Sequence, residues 1–147
     1  MKKIIFSLSL MMFTISCVKN NHLTRVEKYY SSGELSEIFY ENENNKKQGK
    51  YYDFNKNGKI SSIFELKNGI INGWVTQFNE NGLLDQKIKV KNDKIVDTLF
   101  RFSPVTGKLI YKVIYGLKED TLKTVEYYPN GRLKNETIYT PYNSPQI

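Results

Sequence analysis

The chain has 147 residues, a formal net charge of +7 and a hydrophobic content of 39%, and aromatic residues make up 14% of it. This length suits one domain, and the modest hydrophobic content excludes a thick core. Its 22 basic side chains are interspersed with 15 acidic ones, which predicts a solvated basic surface rather than a dense nucleic-acid-binding block.

The first residues have the pattern of an export signal. Residues 1–3 are positively charged and residues 4–15 are an apolar run, shorter than the roughly 20 residues that span a bilayer. The run ends in Thr14-Ile15-Ser16-Cys17, which resembles the lipobox of bacterial lipoproteins, although Thr14 stands where leucine is usual. The resemblance implies cleavage after residue 16 and lipidation of Cys17.

Cys17 is the single cysteine of the chain, so it has no partner for a disulfide within the chain. Lipidation accounts for it; the alternatives are an ordinary cleaved signal with an incidental cysteine and a single buried thiol. We therefore predict a signal peptide at 1–16, a lipidated cysteine and polar tether at 17–24, and a membrane anchor in the cell envelope. Val18 is not the aspartate that retains enteric lipoproteins at the inner membrane, which favours the outer membrane.

Five glycines recur at intervals of 25, 24, 25 and 24 residues, each after an aromatic residue and a polar turn segment. Two of these segments, FNKNGKI at 54–60 and FNENGLL at 78–84, are nearly identical. A constant period in this range is typical of a repeat array. Glycine supplies the positive φ of a tight turn, so we predict a hairpin turn at Gly33, Gly58, Gly82, Gly107 and Gly131.

Apolar and polar residues alternate on both sides of these glycines, which is the period of a β-strand. We expect an all-β fold: five hairpin repeats of 24–25 residues at 25–140, joined as an antiparallel meander, with a C-terminal tail at 141–147. No helix is expected apart from the signal segment. The predicted strands are 26–30, 35–41, 49–54, 59–66, 73–78, 83–90, 96–102, 108–115, 121–128 and 132–139.

Residues 67–84, KNGIINGWVTQFNENGLL, resemble the MORN-repeat variant of bacteria, whose pattern rests on glycine and aromatic positions. The second copy keeps the pattern, whereas the fourth has Asp97 in place of a glycine. The resemblance implies an elongated, twisted, single-layer sheet with one hairpin per repeat. Some members of the family are described as antitoxin components of the YwqK type. The matching residues are Gly69, Gly73, Trp74, Phe78 and Gly82, and in the second copy Gly49, Tyr51, Phe54 and Gly58.

Patterns that carry catalysis or metal binding are missing from the sequence. The single histidine, His22, lies in the predicted tether, so Cys and Ser nucleophiles have no nearby base. No cluster has the spacing of metal ligands. We therefore predict no enzyme activity, no metal and no cofactor, while a pair of carboxylates that meet only in space stays open. Export also predicts that nucleic acid is not a partner.

Aromatic side chains are the candidate binding surface, because Tyr and Trp combine a large contact area with a polar tip. The alternative is that they only pack across strands and support the sheet. We expect an interaction or scaffold module whose partner is an envelope protein or a surface polymer. The alternative function is an immunity or antitoxin-type protein that neutralises a toxin or hydrolase by binding. The candidate residues are Tyr40, Tyr52, Trp74, Tyr111, Tyr115 and Tyr139.

Overall fold

The computed structural model describes residues 22–116 and 120–139, and every regular element in them is a β-strand. These residues contain no helix that is long and apolar enough to cross a membrane. The predicted signal peptide at 1–16, Cys17 and the predicted tail at 141–147 lie outside the described residues. The strands are β1 (Thr24–Tyr29), β2 (Leu35–Glu41), β3 (Gly49–Phe54), β4 (Ile60–Lys67), β5 (Ile70–Ile71), β6 (Gly73–Phe78), β7 (Leu84–Lys91), β8 (Lys94–Phe102), β9 (Leu109–Tyr115), β10 (Thr121–Tyr127) and β11 (Leu133–Ile138).

All eleven strands belong to one antiparallel sheet, in which strands that follow each other in the chain are neighbours in space. The order is β1-β2-β3-β4-β6-β7-β8-β9-β10-β11, and β5 pairs with β4. Because β1 and β11 are the two ends of this order, the sheet of the described residues is open and not closed on itself. The predicted all-β, single-layer antiparallel meander is confirmed.

Strand β5 was not among the ten predicted strands, and it forms in the connection between the second and third hairpins. Asn68 and Gly69 have φ angles of 55° and 84°, which suit a two-residue type I′ turn. This turn lets Ile70–Ile71 pair back onto Leu66 and Lys67 before β6 begins. A strand of two residues is too short to produce a period-two pattern, so alternation could not predict it.

Each of the five hairpins is closed at its glycine by a pair of backbone hydrogen bonds, and the fourth has one extra residue between Ser103 and Gly107. In the third hairpin the Gly82 N–H donates to the Asn79 carbonyl at 2.8 Å, and the Asn79 N–H donates to the Leu83 carbonyl at 2.9 Å. The pairing register shifts just before every turn, as it does where a type I turn is followed by a left-handed glycine bulge. The φ angles are 100° at Gly33, 78° at Gly58, 83° at Gly82, 68° at Gly107 and 88° at Gly131.

The fourth repeat keeps a positive φ at the position where Asp97 replaces a glycine. Gly49 and Gly73 hold the equivalent positions at the start of β3 and β6, with φ angles of 76° and 150°. Asp97 has a φ of 68°, and aspartate is one of the few non-glycine residues that adopt this region readily. Asp97 therefore adopts a φ close to that of Gly49 although it carries a side chain.

A continuous row of side chains crosses one face of the sheet, which we call the ladder face. Alternate residues of each strand point to this face, and the strand registers bring them side by side. Phe39, Tyr51 and Leu66 form its buried cluster, against which Phe64 is packed. The row runs through Val26, Phe39, Tyr51, Phe64, Val75, Ile88, Leu99, Val113, Thr124 and Thr137.

Hydrogen bonds along the turn edge join successive hairpins directly. Their partners are 24, 23 and 25 residues apart, which is the period of the repeat. Contacts between neighbouring units are the source of stability in a repeat array. The bonds run from Tyr30 Oη to the Phe54 carbonyl (2.6 Å), from Asn57 Nδ2 to the Glu80 carbonyl (3.1 Å) and from Asn79 Nδ2 to the Pro104 carbonyl (3.0 Å).

Candidate interaction surface

The face opposite the ladder face carries Trp74, and we call it the tryptophan face. Its central row changes character along the sheet, from apolar and aromatic side chains in the first two hairpins to lysines in the third and fourth. Because the sheet has one layer, no other described element covers this row. The row runs through Ile38, Tyr52, Ile63, Thr76, Lys87, Phe100, Lys112 and Val125.

The six aromatic residues singled out from the sequence do not form one surface. Tyr111 and Tyr115 flank Val113 of the ladder row at a spacing of two, so they lie on the ladder face. Tyr139 follows β11, is 45% exposed, and its backbone N–H donates to the Leu122 carbonyl. The remaining three, Tyr40, Tyr52 and Trp74, lie on the tryptophan face.

Aromatic packing dominates the first two hairpins of the ladder face. The Tyr51 ring is stacked on Phe39 with a centroid distance of 5.3 Å, and on Phe64 with a centroid distance of 4.6 Å. The ammonium of Lys47 lies 4.3 Å from the Phe39 centroid and 4.5 Å from the Tyr51 centroid. Tyr51 is only 6% exposed, so this cluster supports the sheet and is not available to a partner.

The polar end of Tyr51 makes a short chain of interactions towards the turn edge. Its hydroxyl donates to Glu37 Oε2 at 2.5 Å, and Lys28 Nζ lies 3.1 Å from the same oxygen. Burial raises the pKa of the Tyr51 phenol, and the hydrogen bond to Glu37 adds to the rise. The same hydrogen bond is the main cause of the lowered pKa of Glu37, with Lys28 adding to it. Glu37 is therefore ionised and engaged at neutral pH.

Lysines and aromatic rings meet on the tryptophan face between β6 and β9. The Trp74 and Phe100 rings lie 6.1 Å apart and are tilted by 42°. Lys87 Nζ and Lys89 Nζ lie 4.7 and 5.0 Å from the Trp74 centroid, and Lys112 Nζ lies 5.6 Å from the Phe100 centroid. These are cation–π distances. We call Trp74, Lys87, Lys89, Phe100 and Lys112 the lysine–aromatic patch.

The lysines of this patch differ from other lysines of the sheet in their partners. Lys28, Lys123 and Lys134 are paired with carboxylates at 3.1, 2.7 and 2.9 Å. In residues 22–116 and 120–139, by contrast, no carboxylate lies within ion-pair distance of the three patch lysines, whose ammonium groups lie over rings. The patch thus presents three ammonium groups without ion pairs on a half-buried aromatic base.

Sequence reasoning selected Trp74 but missed the other four members of the patch. Lys87, Lys89 and Lys112 lie at polar positions of the alternating strand pattern, which does not mark them as members of a site. The shared positions of the three lysines, five or seven residues after a turn glycine, were a usable signal for one common face. The position of Phe100 between Lys87 and Lys112 became evident only from the pairing register.

Carboxylates do not gather into a site in the part of the chain that the structure describes. No group of three or more His, Cys, Asp or Glu side chains there could hold a metal ion. An open groove of about 470 Å³ lies between the first two turns, beside Glu37 and Asp53. Both carboxylates already accept hydrogen bonds, Glu37 from Tyr51 and Asp53 from Ser62 at 2.6 Å. The carboxylates of Glu37 and Asp53 in this groove are therefore already engaged and do not form a free acid–base pair.

No protein-family model matches the chain, and no curated protein matches it either. Among solved structures it is similar to a mutant of S. aureus TarM in complex with Fondaparinux, alpha-GlcNAc-glycerol and UDP, with a TM-score of 0.45, 14% identity, and coverage of 78% of this chain and 19% of that one. It is also similar to accessory secretory proteins 1, 2 and 3 of Streptococcus pneumoniae, with a TM-score of 0.33, 16% identity, and coverage of 75% and 18%. The chain spans less than a fifth of either protein's length.

Proposed function

We propose that this chain is a lipid-anchored, non-enzymatic interaction module of the bacterial cell envelope. The observation that supports the proposal best is the single-layer sheet, whose tryptophan face has no covering element among residues 22–116 and 120–139. Half-buried aromatic rings on that face, such as Tyr52, Trp74 and Phe100, supply contact area of the kind that interfaces use. The partner is an envelope protein or a surface polymer, held by the sheet rather than altered by it.

Anchoring through Cys17 is part of the proposal, and it has a direct test. Cys17→Ser should move the protein from the membrane fraction to the soluble fraction and change its gel mobility, because two acyl chains are enough for stable anchoring. The measurement is fractionation of cells that express either form, followed by electrophoresis. Retention of the Ser variant in the membrane pellet at unchanged mobility would overturn the anchor.

The interaction role is tested by cross-linking in intact cells followed by mass spectrometry. Trp74→Ala should lower capture of the partner by about tenfold, which corresponds to the loss of roughly 1.4 kcal/mol from an aromatic hot spot. Tyr111→Ala is the matched control, because Tyr111 is an aromatic residue of the same sheet on the opposite face. Capture should survive that change.

Other outcomes of the same experiment assign the function differently. Equal capture by both variants would show that the tryptophan face does not bind the partner. Loss of capture only in Tyr111→Ala would show that the partner binds the ladder face. A single tightly bound partner with a one-to-one ratio, encoded beside this chain, would identify the alternative function of an immunity protein against an envelope toxin or hydrolase.

A further inference from the structure

The lysine–aromatic patch has a geometry that suits an elongated ligand. In the central row of the tryptophan face, Lys87 pairs with Phe100 and Phe100 pairs with Lys112. Two strand spacings separate the lysines, so their backbones are about 10 Å apart with an aromatic ring between them. Trp74 pairs with Lys89, two residues further along β7 than Lys87. Positive charge and apolar ring surface therefore alternate along the long axis of the sheet.

The patch is positive although two carboxylates lie near it on the same face. Glu65 on β4 lies beside Gly73, with its Oε2 3.3 Å from the place that a Cβ would take there, and Asp85 precedes Lys87 by two residues on β7. Among the described residues neither carboxylate is within ion-pair distance of a patch lysine, so the three ammonium groups rest on rings through weak cation–π contacts. An anionic group can draw an ammonium from a ring at little cost, and the ring then becomes available for contact.

We infer that the lysine–aromatic patch binds an acidic polysaccharide, a linear glycan that carries phosphate, sulfate or carboxylate groups. Lys87, Lys89 and Lys112 pair with the anionic groups, while Trp74 and Phe100 contact the apolar faces of the sugar rings. This inference rests on the proposed interaction role and names the chemistry of one partner. Lysine side chains bind such anions as point charges, so recognition depends on charge spacing rather than on one sugar.

An anionic membrane surface is the other source of negative charge, and the structure favours it less. Binding at a bilayer interface uses apolar side chains that project into the boundary between headgroups and acyl chains. Trp74 and Phe100 are half-buried and have ammonium groups over them. The most exposed large apolar residues of the described chain, such as Val105 at 83% and Ile138 at 71%, lie outside the patch.

Trp74 is the only tryptophan of the chain, so its fluorescence reports on the patch alone. The full-length protein, anchored in nanodiscs of uncharged lipid, is titrated with dextran sulfate, with uncharged dextran of the same length, with poly-L-glutamate and with vesicles containing anionic lipid. Dextran sulfate should change the Trp74 emission and bind with an affinity that falls steeply with salt, whereas dextran should do neither. Poly-L-glutamate should bind at least about tenfold more weakly, because it lacks sugar rings.

Matched variants separate the patch from general positive charge. Changing Lys87, Lys89 and Lys112 together to Gln should weaken dextran sulfate binding by at least about 30-fold, since each lost contact contributes on the order of 0.7 kcal/mol. Changing Lys46, Lys67 and Lys108 to Gln alters the net charge equally, and these exposed lysines lie outside the patch. That control should lose less than about threefold. Phe100→Leu should weaken dextran sulfate binding while leaving poly-L-glutamate binding unchanged.

Three results would overturn the inference. The first is equal loss in the two triple-lysine variants, which would mean only general attraction between opposite charges. The second is equal binding of dextran sulfate and poly-L-glutamate, unaffected by Phe100→Leu. That result would show that the patch does not recognise sugar rings and that its ligand is not a glycan. The third is preferential binding to the anionic vesicles, which would make the patch a membrane-docking surface. Each leaves the proposed interaction role standing, because that role is judged by cross-linking in cells.

Discussion

Tyr51→Ala should lower the free energy of unfolding by about 3–5 kcal/mol, the range for deletion of a buried aromatic side chain. Tyr51 is 6% exposed and stacks on Phe39 of the first hairpin and on Phe64 of its own. Its removal therefore opens the contact that joins two repeats. A domain of ordinary stability has about 5–15 kcal/mol in total, so the loss should be evident in urea unfolding followed by circular dichroism.

The damage should be local, because repeat arrays are stabilised by contacts between neighbours. Hydrogen exchange should show lost protection in residues 24–67 of Tyr51→Ala and retained protection in residues 98–138. Tyr111→Ala is the control on the same face, where a half-buried ring of the fourth hairpin is removed; its smaller loss should centre on β8, β9 and β10. Uniform loss of protection in either variant would mean that the sheet unfolds as a single unit.

A second variant separates the ring of Tyr51 from its hydroxyl. Tyr51→Phe keeps the stack but removes the hydrogen bond to ionised Glu37, which should cost roughly 1.5 kcal/mol at neutral pH. The pKa of Glu37 is lowered in the folded protein, chiefly by this bond. A lowered carboxyl pKa stabilises the fold above the unfolded-state pKa, and the contribution is lost as pH falls through the folded-state pKa. The stabilities of wild type and Tyr51→Phe should therefore converge in acid, below about pH 4.3.

Gly82→Val should lower the free energy of unfolding by roughly 2–3 kcal/mol, because a β-branched residue is forced into a left-handed conformation. Gly82 has a φ of 83°, and a Cβ placed there would lie 3.6 Å from Lys59 Cδ, which is an ordinary contact. The cost therefore comes from the backbone and not from a clash. Thermal and urea unfolding of the full chain would measure it.

Gly82→Asn is the matched control for this prediction. Asparagine adds a Cβ at the same place but adopts positive φ far more readily than valine, so the loss should stay below about 1 kcal/mol. The chain itself contains asparagines in this region, since Asn68 and Asn92 have φ angles of 55° and 52°. Equal destabilisation by Val and Asn would show that space at the turn, rather than φ, limits the residue.

Most of the fold could be predicted from the sequence because its signals are local. Turn glycines depend on φ at a single residue, and strand identity depends on alternation within a few residues. Alternation did not predict β5, because this strand has only two residues, which pair through a turn at Asn68 and Gly69. The candidate site was less predictable, because Lys87, Phe100 and Lys112 come from three strands and meet only through register.

The sequence by itself determined the repeat period, the five turns and the order of strands, since each follows from the backbone preferences of a few adjacent residues. Only the tertiary structure decided which aromatic residues share a face. The pairing register shifts at each turn, for instance between Gln77 and Phe78, so odd positions before the glycine lie with even positions after it in four of the five hairpins. In the fourth hairpin the turn has one extra residue, and even positions lie with even positions, as Leu99 does with Val113. Trp74 and Tyr111 are both at even distances from their turn glycines, yet they lie on opposite faces, because a shift of one residue exchanges the faces of a strand.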